Sequence, residues 1–166
     1  MSILEIGFIG IGLAMDAFAV SICKGLLFKK IDIRKMMVIS LYFGFFQFIM
    51  PIIGFLLGNS FEETVKSIDH WISLFLLGNI GFGMIKESFS KNEEKINTEI
   101  DFRTMIFLAI ATSIDALAVG ITFAFYDVNI FISSIFIGII TFVLSNVGIL
   151  LGMKFGNKTQ SKSEIF

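Results

Sequence analysis

Five stretches of this chain are apolar enough and long enough to lie in hydrocarbon as helices, and no other feature restricts its fold so strongly. A helix crosses a bilayer core with about 20 predominantly apolar residues. Residues 3–23, 36–58, 71–85, 105–125 and 130–153 supply such runs, the third reaching full length only if Ile68 and Phe89 are drawn in. Polar linkers at 24–35, 59–70 and 86–103 and a tight turn at 126–129 separate them. With 55% of residues apolar and only 16% charged, the chain carries far more apolar side chain than one soluble core of 166 residues can bury. The expected fold class is all-α, a polytopic membrane protein. Net charge is −1, so no nucleic-acid partner is expected. Cys23 is the single cysteine, which excludes an internal disulfide and a cysteine-based zinc cluster. The first stretch opens with Glu5, lacks a small-residue cleavage site and contains Asp16, unlike a cleavable signal peptide.

The basic residues set an orientation. Of the 13 Lys and Arg, all but Lys66 fall in the linkers at 24–35 and 86–103 or in the tail after Met153. The positive-inside rule therefore puts those segments in the cytoplasm and the N-terminus outside. His70 and Trp71 then open the third stretch at the outer interface, where an aromatic anchor is at home and a ligand role for the histidine is not needed.

Two pairs of segments repeat. Met15-Asp16-Ala17-Phe18-Ala19-Val20 matches Ile114-Asp115-Ala116-Leu117-Ala118-Val119, and Gly54-Phe55-Leu56-Leu57-Gly58 matches Gly148-Ile149-Leu150-Leu151-Gly152. The first stretch thus pairs with the fourth and the second with the fifth. With three helices per repeat, the second copy enters the membrane from the opposite side, an inverted repeat of the kind that places transporter sites near the midplane. Residues 1–90 form the first three-helix unit, 91–103 a charged cytoplasmic loop, and 104–166 the second unit. A sixth helix is expected to begin near Ser163, whereas the sequence reaches only Phe166, so five of six expected helices are counted. Gly44, Gly54, Gly58, Gly138, Gly148 and Gly152 have the small-residue spacing of closely packed membrane helices.

The chemistry concentrates on two acids. Asp16 lies about 12 Å of helix rise from Lys24, and Asp115 about 18 Å from Arg103, both deep in a core about 30 Å thick. An ionised carboxylate there costs about 2.5–3.5 kcal/mol on insertion scales. No Lys or Arg lies inside any of the five stretches to offset it. A bound cation, a proton or cavity water is expected to compensate. Thr112 and Ser113 beside Asp115, Ser21 beyond Asp16, Gln47 on the second stretch, and Thr141, Ser145 and Asn146 on the fifth could complete an all-oxygen site suited to Mg²⁺, Ca²⁺ or Mn²⁺. Each hydroxyl has a plainer alternative, a bond to its own helix backbone. Met15, Met50 and Met153 read as apolar filler rather than copper ligands. Pro51 is expected to kink its helix and free a carbonyl. No phosphate-binding loop and no nucleophile with a matching base are present, so an enzyme is not expected.

Three strings carry a family resemblance: Met15-Asp16-Ala17-Phe18-Ala19-Val20-Ser21; Phe43-Gly44-Phe45-Phe46-Gln47 with Met50-Pro51 and Gly54; and Ala111-Thr112-Ser113-Ile114-Asp115-Ala116-Leu117-Ala118-Val119-Gly120. Together with Asp69-His70-Trp71-Ile72 they resemble the bacterial manganese efflux pump family (MntP-type) over nearly the whole chain. The resemblance implies a six-helix exporter of Mn²⁺ in the inner membrane, with Mn²⁺ as transported substrate rather than cofactor, and Asp16 and Asp115 matching the family's essential aspartates. Some members carry Glu where this chain has Gln47. Proton influx is the expected driving force. A homodimer covering the flank of the missing helix is a further partner expectation, beside the lipid bilayer. Two alternatives stay open at this point: another cargo in the same architecture, such as Mg²⁺, Cd²⁺ or a small amino acid, and a truncated membrane protein that transports nothing.

Overall fold

Four helices make up the computed structural model, which describes residues 1–60 and 102–163: α1 (Ile3–Leu27), α2 (Ile33–Ser60), α3 (Phe102–Phe123) and α4 (Ile130–Ser163). The third apolar stretch, its flanking loops and the His70–Trp71 pair lie outside the described residues. All four helices are long and apolar enough to cross a membrane, and no strand occurs among the described residues.

Three helices run past the apolar stretch that announced them, and α3 starts three residues before its stretch but ends two short of its close. In α1, Ser2 and Glu5 form a reciprocal capping box, with Glu5 Oε2 accepting from Ser2 N at 2.7 Å and Ser2 Oγ accepting from Glu5 N at 3.3 Å. At the other end α1 continues past Cys23 to Leu27, because Lys24 can carry its ammonium outward on a long apolar stem. α2 starts at Ile33, where Asp32 Oδ1 accepts from Lys35 N at 3.2 Å. α4 runs through the polar segment after Met153, which contains no proline to stop it; there Thr159 Oγ1 donates to the carbonyl of Phe155 at 3.0 Å.

Packing follows glycine. α1 lies along α4, with Gly148 against the Phe18 carbonyl, Gly152 against that of Ile22, Gly25 against Ile149 and Gly156 against Leu26. Residue numbers rise together along this seam, so the two helices are parallel. α2 lies along α3 in the same manner, with Gly54 against Leu117, Gly58 against Ile121 and Gly120 against Pro51. An edge-to-face contact of Tyr42 with Phe102 at 6.1 Å fixes the other end of that parallel pair. The pairs join where α2 crosses α4 antiparallel, Gly44 meeting Gly138 and Phe142, and Gly138 meeting Phe48. α1 and α3 consequently run in opposite directions, and they touch only sparsely. The end of α2 and the start of α3 lie at opposite ends of the bundle.

Two apolar clusters result, one toward each end. Phe28, Ile39, Phe43, Met105, Ile149 and Met153 form one, and Leu13, Ala116, Phe123, Ile130 and Ile137 the other. The outer surface is covered by large exposed hydrophobics, among them Leu4, Phe8, Leu41, Phe107 and Phe131, a surface suited to hydrocarbon rather than water.

Lipid tails are as apolar as the side chains, so helix contact here depends on backbone approach rather than on hydrophobic burial. Gly54→Leu or Gly152→Leu should therefore push a helix pair apart and cost about 1–3 kcal/mol, read as a lower unfolding midpoint in detergent. Gly7→Leu should be silent, because a Cβ there meets nothing within 4 Å.

Candidate functional site

The junction of the two apolar clusters is where the polar side chains gather. On α1, Leu13 belongs to one cluster and Ala17 to the other, with Asp16 between them; on α3, Ala109 and Ala116 divide the same way around Asp115. Since Gly148 meets Phe18 and α1 is parallel to α4, Asn146 lies at the height of Asp16. On the other seam the contacts of Gly54 with Leu117 and of Gly120 with Pro51 bracket Gln47 between the heights of Ile110 and Ala116, within about two turns of Asp115. Four helices thus present Asp16, Gln47, Asp115 and Asn146 in the middle part of the bundle.

The two carboxylates stand on α1 and α3, the antiparallel helices that touch only sparsely. They are not enclosed alike. Asp115 is half-buried, and its Oδ1 accepts from Ala116 N at 2.8 Å. Asp16 is exposed rather than buried. Depth along the helix had suggested enclosure for both, whereas only Asp115 is partly covered.

Gln47 is fully enclosed, and its Nε2 donates to the carbonyl of Leu13 on α1 at 3.0 Å. This bond ties α2 to α1 one turn from Asp16. Gln47 Oε1 is buried with no partner among the described residues. Pro51 has no N–H to offer the carbonyl four residues earlier, which is also that of Gln47. Two oxygens of one residue are therefore left without the usual donor at this level. Asn146 donates from Nδ2 to Phe142 O at 2.9 Å and leaves Oδ1 buried and unpartnered.

The hydroxyls divide. Thr112 donates to the carbonyls of Leu108 and Ala109 at 2.9 and 3.2 Å, Ser113 to those of Ala109 and Ile110 at 2.6 and 3.1 Å, and Thr141 to that of Ile137 at 2.9 Å. Their protons are spent on their own helices, the plainer of the two expectations, while their oxygen lone pairs remain as acceptors. Ser21 and Ser145 are buried with no partner. So are Ser40, Ser133 and Ser134, which the sequence reading passed over. The signal was present for two of them, because extending the match of Gly54 with Gly148 back along α2 sets Ser40 opposite Ser134. Among the described residues no three His, Cys, Asp or Glu gather, so a cation at this level would combine the two carboxylates with neutral oxygens.

If Gln47 acts as both tie and oxygen donor, Gln47→Glu should lose the bond to Leu13. The variant should unfold about 1 kcal/mol more easily in cation-free detergent and recover most of that loss when a divalent cation is added. Thermal unfolding with and without the cation checks this.

Comparison with known proteins was made against this geometry. A family model described as "Putative manganese efflux pump" matches residues 30–166. Proteins named "Putative manganese efflux pump MntP" from Mannheimia succiniciproducens, Acetivibrio thermocellus and Methanobrevibacter smithii are 48%, 50% and 44% identical to the chain. Each alignment covers 99% of this chain and, in that order, 89%, 84% and 89% of the relative. No solved structure matches.

Proposed function

The chain belongs to the manganese efflux pump family, transporters rather than enzymes, and from that premise we propose that it exports Mn²⁺ through a site formed by Asp16 and Asp115 between two inverted repeats. One observation carries this reading: Asp16 and Asp115, on oppositely directed helices that touch only sparsely, both lie where the two apolar clusters part.

The repeat is supported by the contacts themselves. The match that pairs Asp16 with Asp115 also pairs Phe18 with Leu117 and Ile22 with Ile121. The second match pairs Gly54 with Gly148 and Gly58 with Gly152. Exchanging the halves then turns the contact of Gly54 with Leu117 into that of Gly148 with Phe18. It likewise turns Gly58 with Ile121 into Gly152 with Ile22, and returns Gly44 with Gly138 to itself. An inverted pair of repeat units has this property.

Gln47, Asn146, Thr112 and Ser113 complete the ligand set as neutral oxygens. Mn²⁺ accepts carboxylate, carbonyl and water ligands. Two carboxylates balance the charge of one dication, and two protons balance it when the metal has left. That exchange also supplies a driving force. Moving a dication outward against an inside-negative potential costs about 4.6 kcal/mol per 100 mV, so export requires coupling, and inward protons provide it. The pump sits in the cytoplasmic membrane of a bacterial cell, with the N-terminus outside and the linker at 24–35 in the cytoplasm.

Reconstituted vesicles test the site. Asp16→Asn combined with Asp115→Asn should reduce Mn²⁺ movement to the level of protein-free vesicles and should remove protection from Mn²⁺ in cells that lack their own exporter. Transport at the parental rate by that double variant would refute the assignment. Competition by Mg²⁺ and Cd²⁺ in the same vesicles reports the cargo.

A further inference from the structure

A cavity of about 550 Å³ opens between the N-terminal end of α1 and the C-terminal end of α3. Its walls include Phe8 and Ile9 from α1 and Val119 from α3, and its polar groups are the Glu5 carboxylate and the hydroxyls of Thr122 and Tyr126. None of these belongs to the site described above, yet they stand on the same faces. Glu5 precedes Asp16 by eleven residues and Tyr126 follows Asp115 by eleven. At 3.6 residues per turn, eleven residues are about three turns, so Glu5 stands over Asp16, about 16 Å away along the axis, while Tyr126 lies in the turn that follows α3. Ile9 on α1, and Val119 and Thr122 on α3, fall on the intervening turns of those faces. α1 and α3 run in opposite directions, so one helix's beginning and the other's end meet at the same end of the bundle. Beyond the cavity, toward the carboxylates, the two helices touch only sparsely.

We propose that this cavity is the outer vestibule of the transport path, in which Glu5, assisted by the Thr122 and Tyr126 hydroxyls, receives a hydrated divalent cation on its way out. The inference rests on the export reading above and extends it to the exit side. Size fits: at about 30 Å³ per water, a dication with six waters needs about 200 Å³, well within the space available. Chemistry fits as well. A vestibule must hold the ion loosely enough to release it. Apolar walls from Phe8, Ile9, Val119 and Phe123, with one carboxylate and two hydroxyls, give outer-sphere contacts rather than a cage. The Met1 amino group at the rim opposes a cation and weakens retention further. The low-dielectric walls concentrate the field of the single carboxylate on the cavity. The capping box holds that carboxylate in place on the first turn of α1.

The experiment uses the full chain in oriented vesicles, with Cys23→Ser removing the native thiol and Phe8→Cys or Val119→Cys placing one in the vestibule. A membrane-impermeant thiol reagent should label either position from the face that carries the N-terminus, and MnCl2 on that face should slow labelling several-fold. Adding Glu5→Gln should remove most of the protection while leaving the fold intact, since glutamine also serves in a capping box. Adding Asp16→Asn with Asp115→Asn should leave the protection in place although transport is gone. Labelling only from the opposite face, no labelling at either position, or protection unchanged by Glu5→Gln would overturn the proposal. A parent protein that moved no Mn²⁺ yet showed Glu5-dependent protection would refute the export reading and leave the cation vestibule standing.

Discussion

Backbone-to-backbone approach at glycine is the interaction on which the rest of this molecule depends. In a membrane the hydrophobic effect does not favour one helix contact over another, so specificity comes from how closely two backbones can lie. Gly54, Gly58 and Gly120 let α2 and α3 touch through their main chains, and Gly25, Gly148 and Gly152 do the same for α1 and α4. Larger side chains at these points would separate the pairs. The two seams hold α1 and α3 on opposite sides of the α2–α4 crossing, so the aspartate-bearing helices confront each other across a gap without packing together.

The surroundings of an acid in a membrane decide which charge state it takes. A carboxylate packed against apolar neighbours would be driven to its neutral form. Along an open cleft it can meet water, a proton or a cation instead. Among the described residues, buried oxygens on Gln47, Asn146, Ser21 and Ser145 are without protein partners. An unpartnered buried polar group costs about 1–3 kcal/mol. A bundle that keeps several of them at one level is less stable than an all-apolar one would be. In a transporter, water or a passing ion can satisfy such groups in turn, which a core of paired side chains could not allow.

Much of this was legible in the chain. The apolar runs 3–23, 36–58, 105–125 and 130–153 correspond to α1 to α4, because nothing but a helix satisfies the backbone in hydrocarbon. The glycines marked packing, and they are where the seams lie. The manganese efflux family was legible in the strings around Asp16, Gln47 and Asp115, and the relatives bear it out. Other points were not. Helix ends moved outward by several residues because Lys24 and the polar tail of α4 tolerate helical backbone beyond the apolar core. The exposure of Asp16 could not be read either, since depth along a helix says nothing about which face is covered.

Local chemistry, then, determined which segments are helices and which residues are too costly to be in a membrane without purpose. Both follow from the transfer energy of each side chain, a property of the residue itself. Which helices pair, in which direction, and which faces stay open was decided only in three dimensions. The bond from Gln47 to Leu13 joins residues 34 positions apart. The cleft between α1 and α3 exists because both helices are held by other partners. A gap of that kind is a property of the assembled bundle, so no window along the chain contains it.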